Sequence, residues 1–466
     1  MISGIFFALS VVMTSVFLWR YVRLSFGVSS CLLGAMLLLH GPAYWYYSRY
    51  WNVGKGWLFD LYSKAWPSAG KEAHVSGNYF YDQIQNANFK VLDIALAITF
   101  LALCCGIWLA DVSFKNGPKE QDQALKRWLE APLCIFKQES HKWLTGISIL
   151  SVLFLFYFMI RDNQLSNIYQ YFSAEAGEFE KIKMRREFGG SSSYFFNLLL
   201  GNGLTFLAFY FWVLIRDGNF KFVQTLLSGV LIFLVFTAKI AMLSKSPAVI
   251  FAFQFLVVEV MRRRLSLNVK HIVLISSLPL LLLILMVFAS NSGIGGVLQS
   301  LIFIFYRAFM IPNESIAEYF LVFPDKIPYT WGRDIGLFAE IFGWEPLKAN
   351  YWRVSELLRG AKGSTTTAMF MADAWAAFSW GGIVVVPLFF GFFVRWIDIE
   401  LIVKRGRSYA SIAGLGLGHY GIWIALSTAF QTALLTGGLA FILLLVIVFE
   451  LFTTRPTLSK EGDRGK

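Results

Sequence analysis

Arg307 is set in the run Phe305, Tyr306, Ala308, Phe309, Met310, where a permanent cation needs a reason to be present. A guanidinium is a planar fork of donors that matches phosphate oxygens, and one charge-assisted hydrogen bond contributes about 1.5–3 kcal/mol. The alternative is a structural ion pair with Glu314 or Glu318. Lys326, Arg333, Lys348, Arg353, Arg359 and Lys362 share the same stretch, 291–365, which makes it suited to an anionic ligand. Lys245 lies in the tight turn Ser244, Lys245, Ser246, Pro247. A turn between two helices fixes the direction of such a cation and suits a phosphate, while a solvated turn lysine is the plainer account. Lys239 stands inside an apolar run, where it either snorkels to the nearby surface or faces a cavity. Among the acids, Asp373 lies in a helix-forming stretch, either as a general base or as a carboxylate that caps the helix or pairs with an arginine.

These residues must be positioned by membrane-spanning helices. Of 466 residues 57% are hydrophobic and 15% charged, more apolar surface than one soluble core can hide. Runs long enough to cross a bilayer fall at 2–19, 26–47, 91–112, 143–160, 194–215, 222–242, 246–261, 271–290, 379–398, 411–430 and 433–452, giving about eleven helices in an all-α, polytopic fold. The chain reads as one integral membrane domain, 1–466, with larger connections at 48–90, 161–193 and 291–365 on one side. The opposite connections carry about 22 Lys and Arg in about 80 residues, against about 18 in about 160 on the side of the larger ones. The positive-inside rule makes the denser side cytoplasmic, the N-terminus external and the C-terminus cytoplasmic. Arg395, Lys404, Arg405 and Arg407 fall on that cytoplasmic side. Most of the net charge of +12 then faces anionic headgroups, which removes any need for nucleic acid.

The first apolar run lacks a basic leader and reads as a retained helix. Connection 48–90 is rich in Trp and Tyr and suits the headgroup interface, and 161–193 has apolar residues at helical spacing, which predicts an amphipathic helix on the membrane. None of Cys31, Cys104, Cys105 and Cys134 is placed for an external disulfide. Zincin, CxxC, Walker and nucleophile-elbow motifs are absent, and 48–90 holds no D-x-D or E-x-D pair. His40 and His419, each alone in a span, read as packing residues.

The order of these parts resembles the Wzy-type O-antigen polymerases. The likeness rests on Met184, Arg185, Arg186, Glu187 closing one connection, then the Ser244 to Pro247 turn and the basic cluster Arg262 to Arg264. Tyr306 to Pro312 then opens the largest connection, and a small-residue helix reaches Gly381 and Gly382. It covers nearly the whole chain, and no single motif in it is diagnostic. It implies a GT-C-like membrane glycosyltransferase of the bacterial cytoplasmic (inner) membrane, without metal or cofactor. Such an enzyme joins polyprenyl-pyrophosphate-linked glycans, with membrane lipid and a chain-length regulator protein as partners. On that basis Arg307, Lys245 and Arg185 or Arg186 hold pyrophosphate, and Arg333, Arg353 and Arg359 reach a second phosphate or the sugar. Asp373 is then the first candidate for the base and Glu314 the second, and Trp331, Trp344, Tyr351 and Trp352 offer faces to sugar rings or to the membrane interface. An O-antigen ligase shares this outline. A lipid-linked oligosaccharide flippase is the other alternative, although the chain lacks the repeated halves common among transporters.

Overall fold

A computed structural model describes residues 2–23, 25–65, 87–134, 136–173, 194–241, 245–264, 277, 281, 297–359 and 365–453. The described residues are mostly helical, with no strand among them, and seven helices among them are long and apolar enough to cross a membrane. These are Ile2–Val22, Val28–Val53, Phe89–Ser113, Ser140–Arg161, Phe195–Arg216, Phe222–Ala241 and Phe370–Lys404, and each coincides with an expected span. Of the other four, 246–261 is helical as Lys245–Arg262 and carries Lys245, Glu259 and Arg262. The span at 411–430 is a helix only over Tyr409–Ala425, and that at 433–452 is split between Phe430–Leu435 and Ile442–Thr453. The span at 271–290 lies outside the described residues except for Ser277 and Leu281. The protein is thus an all-α, multi-pass membrane protein.

The chain forms two compact units, each discontinuous in sequence. The first comprises Met1–Pro118, Leu283–Trp396 and Gly421–Gly437. In it the Phe89–Ser113 and Phe370–Asp398 helices approach backbone to backbone. A Cβ on Gly106 would strike Leu388 O, and one on Gly391 would strike Leu103 O, so two glycines permit the packing. The same helices share a buried ion pair in which Arg395 Nε and Nη2 donate to Asp111 Oδ1 and Oδ2 at 2.8 and 2.9 Å. Arg395 is therefore not a solvated loop cation, as the charge pattern placed it. Desolvation makes such a charge tolerable only with a bidentate partner. Asp93 is a second buried hub, accepting from Arg49 Nη2 at 2.6 Å, Tyr44 OH at 2.8 Å and Ser3 Oγ at 3.0 Å.

The stretch expected as the 291–365 connection is largely helical where described, with Val297–Phe305, Ile311–Val322, Gly336–Ile341 and Asn350–Arg359. Ile311–Val322 is buried over most of its length, unlike an interfacial loop. Asn313 pins it to the second span: its Oδ1 lies 2.9 Å from His40 Nδ1, and its Nδ2 donates to Leu39 O at 2.9 Å. His40 is thus buried and bonded through Nδ1.

The second unit comprises Lys119–Leu282, Ile397–Tyr420 and Gly438–Lys466. The end of the Ile442–Thr453 helix is closed by Lys137 N on Thr453 O at 2.9 Å and Ser140 Oγ on Phe452 O at 2.6 Å, which satisfies carbonyls that a helix end leaves open. Lys239 is 1% exposed and does not snorkel. Its ammonium lies 4.5 Å from the Tyr420 ring and 5.2 Å from the Phe251 ring, so the attraction of aromatic faces for a cation replaces part of its hydration. Arg407, another expected loop cation, is also buried. The described part of 161–193 contains the Gln164–Ser173 helix, with Leu165 and Tyr169 exposed, as an amphipathic surface helix requires.

Candidate functional site

In the first unit a kink creates the site. The Phe370–Asp398 helix is broken at Ser379, whose φ of 55° lies in the left-handed region that a non-glycine residue adopts at a cost. After the break the chain returns so close that a Cβ on Gly382 would strike Ala374 O, which only glycine avoids. Carbonyls of Ala376 and Ala377 accept instead from Thr330 N at 3.0 Å and Trp331 N at 2.8 Å. The kink thereby anchors the turn 330–335 against the helix that carries Asp373.

That turn presents Asp334. Thr330 Oγ1 donates a short hydrogen bond to Asp334 Oδ1, and Asn350 Nδ2 donates to Asp334 Oδ2 at 2.8 Å. The same Asn350 amide reaches Asp373 Oδ1 at 3.3 Å, and Gln431 Nε2 donates to Asp373 Oδ2 at 3.4 Å. All three central residues are buried, Asn350 completely. Among the described residues the partners of the Asp373 carboxylate are these two amides. Burial raises the Asp334 carboxyl above the usual carboxylate range, while Thr330 and the Arg353 charge pull the other way.

One of the expected arginines bonds this cluster, and a second acts on it by charge. Arg353 Nη1 donates to Asn350 Oδ1 at 3.5 Å, and its guanidinium lies 5.8 Å from the Phe323 ring. Arg333 Nε donates to Glu345 O at 3.3 Å. Arg353 feels both Asp334 and Arg333, and burial lowers its pKa. Asn350 thus faces two carboxylates with its amide nitrogen and an arginine with its oxygen. Tyr319, buried on the Ile311–Val322 helix, closes the floor, with OH on Thr366 O at 3.2 Å; burial first, then Asp373, Glu318 and Asp334, raise its pKa well above normal.

Arg307 is exposed, in a π-helical turn spanning Tyr306–Met310. Pro312 explains the turn: without an N–H it cannot bond Ala308 O, and the wider spacing absorbs the mismatch. The guanidinium lies 5.7 Å from the Phe303 ring. Next to it, Tyr306 stacks on Trp51 at 5.4 Å and meets Tyr62 at 4.7 Å, joining connections 48–90 and 291–365. Glu314 is buried one turn before Glu318. Trp331 and Trp344 are exposed, while Tyr351 and Trp352 are half-buried. Lys245 and Arg359 are described only as helix backbone, and Arg185 and Arg186 lie outside the described residues.

Sequence reasoning missed Asp334, Asn350, Thr330 and Gln431. Asp334 was readable only as the neighbour of Arg333, and the two amides carry no motif, since their role comes from burial beside acids far off in sequence. Among the described residues no group of three or more His, Cys, Asp or Glu is placed to hold a metal. No protein-family model matches this chain, and no curated protein or solved structure does either.

Proposed function

We propose that this chain is a membrane glycosyltransferase that polymerises polyprenyl-pyrophosphate-linked oligosaccharide repeat units into O-antigen or a related surface polysaccharide. It acts on the external face of the bacterial cytoplasmic membrane. The observation that supports the reading is Arg353 bonded to Asn350, the amide that bridges the acids Asp334 and Asp373, with the Arg333 charge acting on Arg353, in a part of the chain that the charge bias assigns to the exterior.

In the reaction a hydroxyl of the acceptor unit attacks the anomeric carbon of the donor glycan. The new C–O bond forms as the bond to pyrophosphate breaks, and the hydroxyl proton passes to a carboxylate. Asp373 fits the role of base, oriented by Asn350 and Gln431, and Asp334 positions it through the shared amide. Arg353 and Arg333, with Arg307 as the exposed member, supply charge for the departing pyrophosphate. We take the reaction to be metal-independent. An amide donor between the two acids occupies the place where a cation would need acceptor oxygens.

The test is elongation by purified full-length protein given lipid-linked repeat units in excess chelator, read as a ladder of product lengths. Wild type should extend the chains and Asp373→Asn should not. Activity that requires added magnesium or manganese, or an unimpaired Asp373→Asn, overturns this assignment.

A further inference from the structure

The second unit contains a cavity of about 620 Å³, within the roughly 300–1,000 Å³ common for small-ligand sites. Arg262, Arg264, Arg407, His141, Asp217 and Tyr409 line it. They come from four connections separated widely in sequence, all of which the charge pattern places on one side of the membrane.

The lining is cationic and only partly neutralised. Asp217, the acid among these residues, is committed to Tyr409 OH at 2.5 Å and Asn219 Nδ2 at 2.9 Å. Arg262 is held by Glu259, outside the lining, at 2.8 and 2.9 Å. Arg264 is exposed. Arg407 is 2% exposed, and its Nη atoms donate to Ala131 O, Met261 O and Arg262 O. The last two bonds close the Lys245–Arg262 helix. Among the described residues its Nε is buried without a hydrogen-bond partner, as is His141 Nδ1. Burial first, then the Arg264 and Arg262 charges, depress Arg407 to about 10, while Asp217 pulls the other way.

We propose that this cavity is a binding site for a phosphate-bearing anion, with Arg264 and Arg407 as its main ligands. The phosphate belongs either to a lipid headgroup or to a soluble phosphate compound. The chemistry is the same for both, a tetrahedral oxyanion among guanidinium donors, and the lining shares no residue with the proposed catalytic set.

Native mass spectrometry of the purified full chain tests it. The protein is exposed separately to phosphatidylglycerol, to phosphatidylcholine and to inorganic pyrophosphate. Preferential retention of phosphatidylglycerol over phosphatidylcholine assigns the lipid source, and retention of pyrophosphate assigns the soluble one. In either case Arg264→Gln should weaken retention about tenfold, as loss of one charge-assisted bond predicts. Arg263→Gln, which removes equal charge from a residue outside the lining that pairs with Glu259 at 2.6 Å, should not. Arg407→Gln should also lose the adduct, and Arg264→Gln keeps the test decisive if that variant does not fold. Equal retention of both lipids with no pyrophosphate bound, or equal loss in the Arg263 and Arg264 variants, overturns the proposal.

Discussion

Asn350 holds together groups that its own sequence neighbourhood does not explain. Because its amide serves Asp334 and Asp373 while its oxygen faces Arg353, Asn350→Ala would leave two buried acids short of a donor, at about 1–3 kcal/mol for each unsatisfied group. For Arg353, shape matters as much as charge. Arg353→Ala should lower elongation about 100-fold, the usual cost of losing a donor to developing negative charge, and Arg353→Lys should recover little because an ammonium lacks the fork. Full activity in the lysine variant would reduce Arg353 to a point charge. Asp334 gives a prediction in pH. Its folded pKa is raised, so its contribution to stability is complete below the ordinary value of about 4 and is lost as pH rises through the raised one. Thermal melting of the purified protein should therefore decline across that interval, and Asp334→Asn should flatten the decline. An unchanged slope in the variant removes Asp334 as the cause.

At the level of elements, the break at Ser379 makes the site. A continuous helix would keep the Ala376 and Ala377 carbonyls for itself, and Thr330 and Trp331 would lose the acceptors that dock the Asp334 turn. Gly382→Ala tests this. Its methyl would meet backbone at Ala374, one residue from Asp373, and overpacking of this kind costs about 1–3 kcal/mol. Protein yield and thermal stability should fall, and elongation per folded molecule should fall further. Gly229→Ala, where nothing lies within 4 Å, is the control and should leave both unchanged. If the Gly382 variant matches that control, the kink does not set the site.

For the whole molecule, topology and phenotype are the measurable consequences. Reporter fusions at Arg127 and Arg263 should read cytoplasmic and a fusion at Lys348 external, with one at Glu180, outside the described residues, also external. A cytoplasmic signal from Lys348 would place the candidate site on the wrong face for external polymerisation. In the host, a deletion should leave single repeat units on the acceptor and no long chains, because export and attachment still proceed. Long polymer retained on the lipid carrier would indicate a ligase, and single units trapped on the cytoplasmic leaflet a flippase.

The sequence by itself determined the solvent of this protein. Twenty-residue apolar runs can be satisfied only as helices in lipid, so seven of the expected spans reappear as long helices without any tertiary information. It also named Arg333 and Arg353, as basic residues of the 291–365 stretch, and Asp373, as an acid in a helix-forming stretch, among its candidates. What it left open is pairing. Lys239, Arg395 and Arg407 look alike as cations near helix ends, yet one lies against aromatic rings, one is locked to Asp111 and one closes a helix, because partners distant in sequence meet only when the helices pack. The same holds for Asp334. Neutral amides at Asn350 and Gln431 give no periodic or compositional signal, and only folding brings them to two buried carboxylates whose desolvation makes their hydrogen bonds necessary.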